Sequence, residues 1–361
     1  MTAAWRHLDI SLIVLVVTTS VFGAVLVFSA TRHKASPYAY IEKDVAFIII
    51  GIVVMAVCAA VDYHHLADLA RVIYGLTLVA LAAVLAVGSV HQNIRAWFDV
   101  GPIEIQPAEF AKIAVIVVLA AYLGGLGDRL SLRHVVVALV VLVLPMGLIL
   151  LQPDLGTMLV FVVIGVGMLV AAGTPARYLA ALLVVGLAGI FFILNSNTLD
   201  QYQKERLTSF VAPEQASAKV IYNTERAQEA IASGGTTGAG LFHGPQTKGG
   251  FVPVQQSDFI FTVPAEELGF AGAGSLLALL ALIVWRVWRS AQLARDPVGR
   301  LICVGVLCML VFHIFENVGM NLGIMPITGI PLPFVSYGGS ATLTAFAGIG
   351  LVLNVNMRRF S

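Results

Sequence analysis

Hydrophobic and polar positions fall in long blocks along this chain, and the hydrophobic blocks have the length of membrane spans. A helix needs about 20 mostly apolar residues to cross a bilayer, with a range of about 17 to 25. Ten segments fit or approach that range: 10–30, 45–61, 66–90, 109–123, 134–151, 155–172, 178–194, 264–285, 300–320 and 341–356. The pattern predicts an all-α polytopic membrane protein of about ten transmembrane helices, forming a single integral membrane domain over residues 1–361.

One long polar stretch, residues 195–257, separates the seventh span from the eighth. Its acidic and basic residues are equal in number, five of each. Within it, residues 221–231 place Ile and Ala at helical intervals, which predicts an amphipathic helix lying along the membrane surface. We therefore expect one long loop between helices 7 and 8.

The basic residues indicate which side of the membrane this loop faces, because cytoplasmic segments carry an excess of Lys and Arg. If the N-terminus is cytoplasmic, the inner segments hold eleven arginines, and the short outer loops hold only Arg32, Lys34, Lys43 and Arg95. We expect both termini in the cytoplasm and residues 195–257 outside it. The loops after the third, fifth, seventh and ninth spans then share the outer face.

Composition supports a membrane protein and excludes some other classes. The chain is 59% hydrophobic and 11% charged, whereas soluble domains carry about 25% charged residues. A net charge of +1 gives no electrostatic reason to bind nucleic acid. The three cysteines lie in apolar runs without metal-site spacing, so we expect buried thiols.

Candidate chemistry is concentrated in the outer loops. Glu109 and Lys112 share one helical face, as a self-neutralising pair or as a phosphate-binding ammonium. Asp154, in Gln-Pro-Asp-Leu-Gly-Thr, suits a helix N-cap, and a role as a cation or sugar ligand stays open. The glycine-rich run 234–240 is either a flexible linker or a source of N–H groups for an anion.

Asp258 stands where the polar loop meets the eighth span, directly before Phe-Ile-Phe. A carboxylate there is either an N-cap or a general base or cation ligand. His313 and Glu316 share a face of the ninth span, which indicates a buried hydrogen-bonded pair or a proton relay. Irregular backbone such as residues 325–340 survives at membrane depth only when it is buried or lines a cavity.

Several of these stretches together resemble the SEDS family (shape, elongation, division and sporulation). The resemblance rests on Asn317 and the ungapped run 323–341, and it extends to Trp97 with Gly101, Gln106-Pro107, residues 152–157, the glycines of 234–240, and 258–261 with 266–269. The short lead and tail make elongation members the nearest. The chain departs from the family at Ala96, where Arg is frequent, and at Ser257, where Thr is frequent.

The resemblance implies a peptidoglycan glycosyltransferase that polymerises lipid II at the outer face of the bacterial cytoplasmic membrane. It implies Asp258 as the catalytic residue, a divalent cation (Mg²⁺ or Mn²⁺) for which Asp258 is one possible ligand, and a class B penicillin-binding protein as partner. The proposed substrate-binding residues are Trp97, Glu109, Lys112, Asp154, Gly238, Gly240, Ser336, Gly338 and Gly339. A lipid II flippase and a membrane scaffold for a cell-wall transpeptidase are the alternatives.

Overall fold

The computed structural model describes residues 7–91, 94–101, 103–127, 130–195 and 218–359, and within these ranges the chain is mostly helical. We number the helices α1 (Ile10–Thr31), α2 (Pro37–Ala60), α3 (Tyr63–Asp68), α4 (Ala70–Val87), α5 (Pro107–Gly124), α6 (Leu132–Leu150), α7 (Leu155–Ala171), α8 (Ala176–Asn195), α9 (Ala218–Ser233), α10 (Pro245–Gly249), α11 (Thr262–Glu267), α12 (Gly269–Leu293), α13 (Pro297–Leu322) and α14 (Gly339–Met357).

Ten of these helices correspond to the ten predicted spans. Eight are both long and apolar enough to cross a membrane, namely α1, α2, α4, α5, α6, α12, α13 and α14. Helix α7 and the Ala176–Gly189 part of α8 are shorter apolar segments, and they supply the other two. The predicted fold class is confirmed. The third span is shorter than the predicted 66–90, because the chain turns at Leu69 between α3 and α4.

Aspartate caps set where several of these helices begin. The side chains of Asp9, Asp154 and Asp296 accept hydrogen bonds from the N–H of the third residue of α1, α7 and α13, at 3.0, 2.9 and 2.9 Å. These bonds satisfy N–H groups that have no partner within a helix. Proline occupies the first turn of α2, α5 and α13, where its missing N–H costs nothing.

Helix α14 lies in the centre of the bundle, and 83% of its apolar 18-residue stretch is buried. It packs along α2 and also contacts α5, α12 and α13. At its C-terminal end, the Asn354 amide donates to the carbonyl of Cys58, and Arg358 donates to those of Ala59 and Ala60. These bonds close the C-terminal end of α2, so α2 and α14 form one unit.

A small antiparallel sheet precedes α5, and hydropathy alone did not predict it. Its strands are β1 (Ser89–His91), β2 (Ile94–Val100) and β3 (Ile103–Ile105), in the order β1-β2-β3. Strand β2 carries Trp97, and β3 leads directly into Gln106 and α5. The sheet therefore holds the polar residues before α5 at one end of the bundle.

The described part of the polar loop, residues 218–257, packs against the bundle. Helix α9 confirms the predicted helix at 221–231. Its Ala227 and Ala230 are fully buried in a cluster with Phe259, Met320 and Ile327. The apolar face of α9 therefore covers protein, whereas the sequence predicted that it would lie along the membrane surface. Residues 196–217 lie outside the described part of the chain.

Candidate functional site

The outer-loop segments meet in one cavity of about 710 Å³. It is lined by residues from the start of α2, from β2 and β3, from the starts of α5 and α7, from residues 254–258, from His313 in α13, and from 328–341. Seven of the ten predicted site residues line it: Trp97, Glu109, Lys112, Asp154, Asp258, Gly338 and Gly339. The expectation that these segments share one end of the bundle is therefore met.

Asp258 is half-buried in the cavity wall, and two asparagines of α13 fix its backbone. The Asn317 and Asn321 amides both donate to the Asp258 carbonyl, at 2.9 and 3.1 Å. Asn317 also donates to the Ile330 carbonyl at 2.9 Å, so it joins the Asp258 segment to the loop before α14. The Ser257 hydroxyl donates to Asp258 Oδ1 at 2.8 Å, which orients the carboxylate.

Ser336, another predicted site residue, does not line the cavity. Its hydroxyl donates to the Ser257 carbonyl at 2.5 Å and accepts from the Leu332 N–H at 2.8 Å. Both partners are backbone groups beside the site. The side chain therefore holds the 332–336 turn against the Asp258 segment, and its predicted contact with substrate stays a prediction.

Lys112 lies deep in the cavity with a side chain that is 0% exposed. Its Nζ is 2.7 Å from Glu109 Oε1 and 3.1 Å from His313 Nε2. The 2.7 Å ion pair compensates the charge of an ammonium that would be costly to bury alone. The predicted pairing of Glu109 with Lys112 is present, and His313 is a third member that sequence spacing did not indicate.

His313 and Glu316 were expected to pair with each other or to form a relay, and instead each has other neighbours. His313 Nδ1 lies 3.3 Å from the Pro331 carbonyl oxygen, and Glu316 lies beside Thr328. Both side chains are buried in α13. Their shared helical face directs them toward the 328–331 segment, so long-range contacts decide their partners.

Asp154 is a helix N-cap, and its predicted role as a cation or sugar ligand stays a prediction. Its Oδ1 and Oδ2 accept from the N–H and hydroxyl of Thr157 at 2.9 and 2.8 Å, which is an N-cap. The Gln106 amide also donates to Oδ2 at 3.1 Å. Because Asp154 and Gln106 both line the cavity, the cap also forms part of its wall.

Gly338 and Gly339 form the end of α14 that opens onto the cavity. Gly338 is the N-cap residue, and no side chain caps the first turn. A Cβ at Gly339 would lie 2.4 Å from the Phe47 ring, so a side chain there would collide with α2. The partial positive charge of this helix terminus therefore faces the cavity.

Gly238 and Gly240 do not line the cavity, so the structure does not bring these two predicted site residues together with the others. The N–H groups of Ala239 and Gly240 donate to the carbonyls of Glu266 and Glu267, at 3.0 and 2.9 Å. The Gly238 N–H donates to the Gly234 carbonyl at 2.8 Å. These groups already have backbone partners, so the loop serves as packing for α11 and is not an anion cradle.

Lys43, Tyr40 and Tyr337 line the cavity and were not predicted. Tyr40, Lys43 and Phe47 recur every three to four residues on one face of α2, a spacing that could have indicated them. Tyr40 contacts Tyr337 edge-on, with ring centroids 5.5 Å apart. Burial, followed by the nearby charges of Asp44 and Glu104, raises the pKa of Tyr337 to about 12, so its hydroxyl stays protonated at neutral pH.

The cavity carries more acidic than basic side chains. Its charged residues are the carboxylates Glu104, Glu109, Asp154 and Asp258 and the ammonium groups Lys43 and Lys112. Among the described residues, Lys112 pairs with Glu109, and no carboxylate forms an ion pair with Lys43. With all six groups ionised the wall has two excess negative charges, which favours cations.

The described residues place no group of three or more His, Cys, Asp or Glu side chains close enough to hold a metal by themselves. Magnesium is usually held by one or two carboxylates together with substrate phosphates and water. A single cavity carboxylate such as Asp258 meets that pattern from the protein side. The donor set thus fits a cation shared with a phosphate ligand.

Comparisons with known proteins agree with the resemblance. The FtsW/RodA/SpoVE cell cycle protein profile matches residues 7–360. "Peptidoglycan glycosyltransferase MrdB" of Escherichia coli K12 is 34% identical over 353 residues, covering 98% of this chain and 94% of the relative. "Peptidoglycan glycosyltransferase RodA" of Treponema pallidum is 31% identical over 387 residues, covering 88% and 89%.

Solved structures show the same fold. A chain from a study of polymerization and crosslinking by a peptidoglycan synthase complex superposes with a TM-score of 0.83 at 31% identity, covering 98% of this chain and 99% of that one. The crystal structure of the rod shape determining protein RodA from Thermus thermophilus gives a TM-score of 0.74 at 29% identity, covering 98% of both. The chain therefore belongs to the FtsW/RodA/SpoVE (SEDS) family of cell cycle proteins.

Proposed function

We propose that this protein is a peptidoglycan glycosyltransferase that polymerises lipid II into glycan strands during cell elongation. The observation that carries the proposal is the convergence of Asp258 and Lys112 in one cavity of about 710 Å³. Relatives that match over nearly the whole chain carry that activity in their names. A cavity of this size at one end of the bundle suits a sugar and a diphosphate at the level of the membrane surface.

In this reaction a sugar 4-hydroxyl of the acceptor attacks the anomeric carbon of a donor linked to polyprenyl diphosphate. Asp258 accepts the proton of that hydroxyl as general base. The Ser257 hydrogen bond at 2.8 Å and the asparagine contacts hold its carboxylate in place. A single displacement inverts the α-linked diphosphate to a β-glycosidic bond, which requires one base and not a retaining pair of carboxylates.

The leaving diphosphate needs positive charge, and the chain supplies it from three places. Lys112 is fixed by Glu109 and His313, so it acts from a constant position and needs no reorganisation. Lys43 is the cavity ammonium without a carboxylate partner. The uncapped first turn of α14 at Gly339 adds N–H groups that suit an anion.

A divalent cation, Mg²⁺ or Mn²⁺, completes the proposal. The cavity wall has two excess negative charges, and a diphosphate adds more, so substrate binding without a cation would be opposed by repulsion. Holding this cation together with phosphate oxygens is the alternative role of Asp258, because an inverting displacement places the base and the leaving diphosphate on opposite faces of the sugar. When bound, the cation supplies neutralisation of the developing negative charge on the leaving group.

We propose that the protein lies in the bacterial cytoplasmic membrane with both termini in the cytoplasm and the cavity on the outer face. The excess of Arg in the inner loops supports this orientation. The polyprenyl tail lies among the membrane-spanning helices. A class B penicillin-binding protein is the proposed partner, since one structural relative comes from a complex that couples polymerization with crosslinking.

The polymerase proposal is tested with purified lipid II, the transpeptidase partner and Mn²⁺ or Mg²⁺, comparing wild type with Asp258→Asn and Asp258→Ala. The matched control is Asp99→Asn, an exposed aspartate of β2 outside the cavity lining. We expect polymer from wild type and the control, and none from folded Asp258 variants. Equal polymer from all four would remove Asp258 from the mechanism. No polymer from any, with partner and cation verified, would favour a flippase or scaffold.

A further inference from the structure

A second, much smaller cavity adjoins the catalytic one. It has a volume of about 10 Å³, and Glu109, His313, Pro331 and Ala341 line both cavities. The rest of its wall comes from residues 332–336, from α13 and from one face of α14 that includes Thr344. The small cavity therefore lies against the carboxylate that holds the Lys112 ammonium.

Two buried oxygens of this wall lack a hydrogen-bond partner among the described residues. They are Glu109 Oε2 and Thr344 Oγ1. The other Glu109 oxygen accepts from Lys112 at 2.7 Å, so half of the carboxylate is satisfied and half is not. A buried polar atom without a partner costs about 1–3 kcal/mol, and more when the group is charged.

The Thr344 side chain differs from three other helical threonines among the described residues. The hydroxyls of Thr19, Thr31 and Thr77 each donate to the carbonyl four residues earlier, at 2.8 Å. Thr344 Oγ1 makes no such bond although it lies in the middle of α14. Its hydroxyl is therefore available to a group in the small cavity.

The volume and the lining decide which group fits. One water requires a cavity of about 10–15 Å³ and two or more polar partners. Met309, Leu310 and Phe334 make up part of the wall, which leaves few oxygen ligands for a metal ion. We propose that a single ordered water occupies this cavity, donates to Glu109 Oε2, and bonds to the hydroxyl of Thr344.

This water makes Thr344 a positioning residue for the catalytic cavity. The water fixes the orientation of the Glu109 carboxylate, and the carboxylate fixes the Lys112 ammonium from the other side. This consequence rests on the proposed function, in which Lys112 acts on the leaving diphosphate. The water itself does not depend on that function, because it follows from the cavity and the two oxygens.

The first test is direct observation together with thermal stability. A map of the wild-type protein at a resolution that shows ordered waters should contain density between Glu109 Oε2 and Thr344 Oγ1. Thr344→Val should lower the melting temperature, because it removes a partner of the water. Thr174→Val is the matched control, since the Thr174 hydroxyl is also buried without a partner but lines neither cavity. The control should leave the melting temperature unchanged or raise it.

The second test separates positioning from packing. With lipid II as substrate, Thr344→Val should lower kcat about 10-fold with KM within about 2-fold, the size expected for losing a hydrogen bond to a charged group. Thr344→Ser keeps the hydroxyl and should restore most of kcat.

Either of two results would overturn the proposal: a map with no density at this point, or a Thr344→Val protein that is as stable and as active as the Thr174 control. Absence of polymer from wild type would instead refute the proposed function and leave the map and melting results decisive for the water.

Discussion

Replacement of Asn317 by leucine tests whether the asparagine contacts position the Asp258 carboxylate, the proposed general base. Asn317 is fully buried, and its amide donates at 2.9 Å to the carbonyls of both Asp258 and Ile330. Leucine has a similar size and no donor. The Ile330 carbonyl then loses this donor, whereas the Asp258 carbonyl keeps a bond from Asn321 at 3.1 Å.

The expected loss of stability is modest and the expected loss of activity is large. One buried carbonyl without its donor costs about 1–3 kcal/mol of unfolding free energy. Under the proposed mechanism activity depends on the position of the Asp258 carboxylate, and a displacement of about 1 Å can lower a rate about 100-fold. We therefore expect polymerisation to fall about 100-fold in a protein that remains folded at the assay temperature.

The assay is lipid II polymerisation with wild type, Asn317→Leu and Asn321→Leu, alongside melting temperatures in the same detergent. Asn321→Leu is the matched control, because it removes one donor to Asp258 but leaves the link between Asp258 and Ile330 intact. It should lower activity less than the Asn317 variant. If Asn317→Leu lost no more activity than the control, the link would not position Asp258 and the reasoning would be refuted.

Three further predictions concern the supporting structure. Gly238→Ala should prevent folding or strongly lower the melting temperature, because the new Cβ would lie 2.2 Å from the Glu267 carbonyl oxygen. The control Gly235→Ala places its Cβ in open space, so it should cost only about 1–2 kcal/mol of unfolding free energy for its positive φ. Lys112→Met should cost about 3–5 kcal/mol of unfolding free energy by leaving a buried charge unpaired; Lys112→Met with Glu109→Gln should regain stability but not polymerisation, and recovery of both would refute the role of Lys112. Burial, opposed by a hydrogen bond from a serine hydroxyl, raises the pKa of Glu267 above its ordinary 4.5. The folded protein therefore loses stability as pH rises from 4.5 through the folded-state pKa and the Glu267 carboxyl ionises. Glu267→Gln, which cannot ionise, should gain melting temperature relative to wild type from pH 4.5 upward, and a pH-independent difference would contradict this.

The membrane spans could be predicted because a bilayer imposes one length and one polarity on every crossing helix. The break at Leu69 was missed although Asp68 and Arg71 flank it, because the 66–90 segment as a whole is apolar enough to be taken for one span. The sheet before α5 was missed for a related reason. Strands β1 and β3 have three residues each, which is too short for an alternating pattern to be seen.

The candidate site was predictable as far as it depends on which loops share a face. Trp97, Asp154 and Asp258 come from distant parts of the sequence, and the orientation of the spans was enough to bring their loops to one end. The position of Gly238 and Gly240 outside the cavity could not be predicted, because a glycine-rich run looks the same whether its N–H groups face a ligand or a neighbouring backbone. The carbonyls of residues 266 and 267 that take those N–H groups lie more than 25 positions away along the chain.

The position of His313 in the site shows that spacing along one helix does not predict which residue of another helix a buried side chain contacts. His313 and Glu316 are three residues apart on one helical face, and this spacing is what suggested that they pair. A buried side chain, however, bonds to whichever polar group the neighbouring helix presents, and α5 presents the Lys112 ammonium at 3.1 Å. An ammonium held by a carboxylate on one side and an imidazole on the other has little freedom to follow a substrate. Lys112 therefore suits a reaction in which the diphosphate binds beside an ammonium of fixed position. Lys43 is exposed, so its ammonium can change position together with the diphosphate.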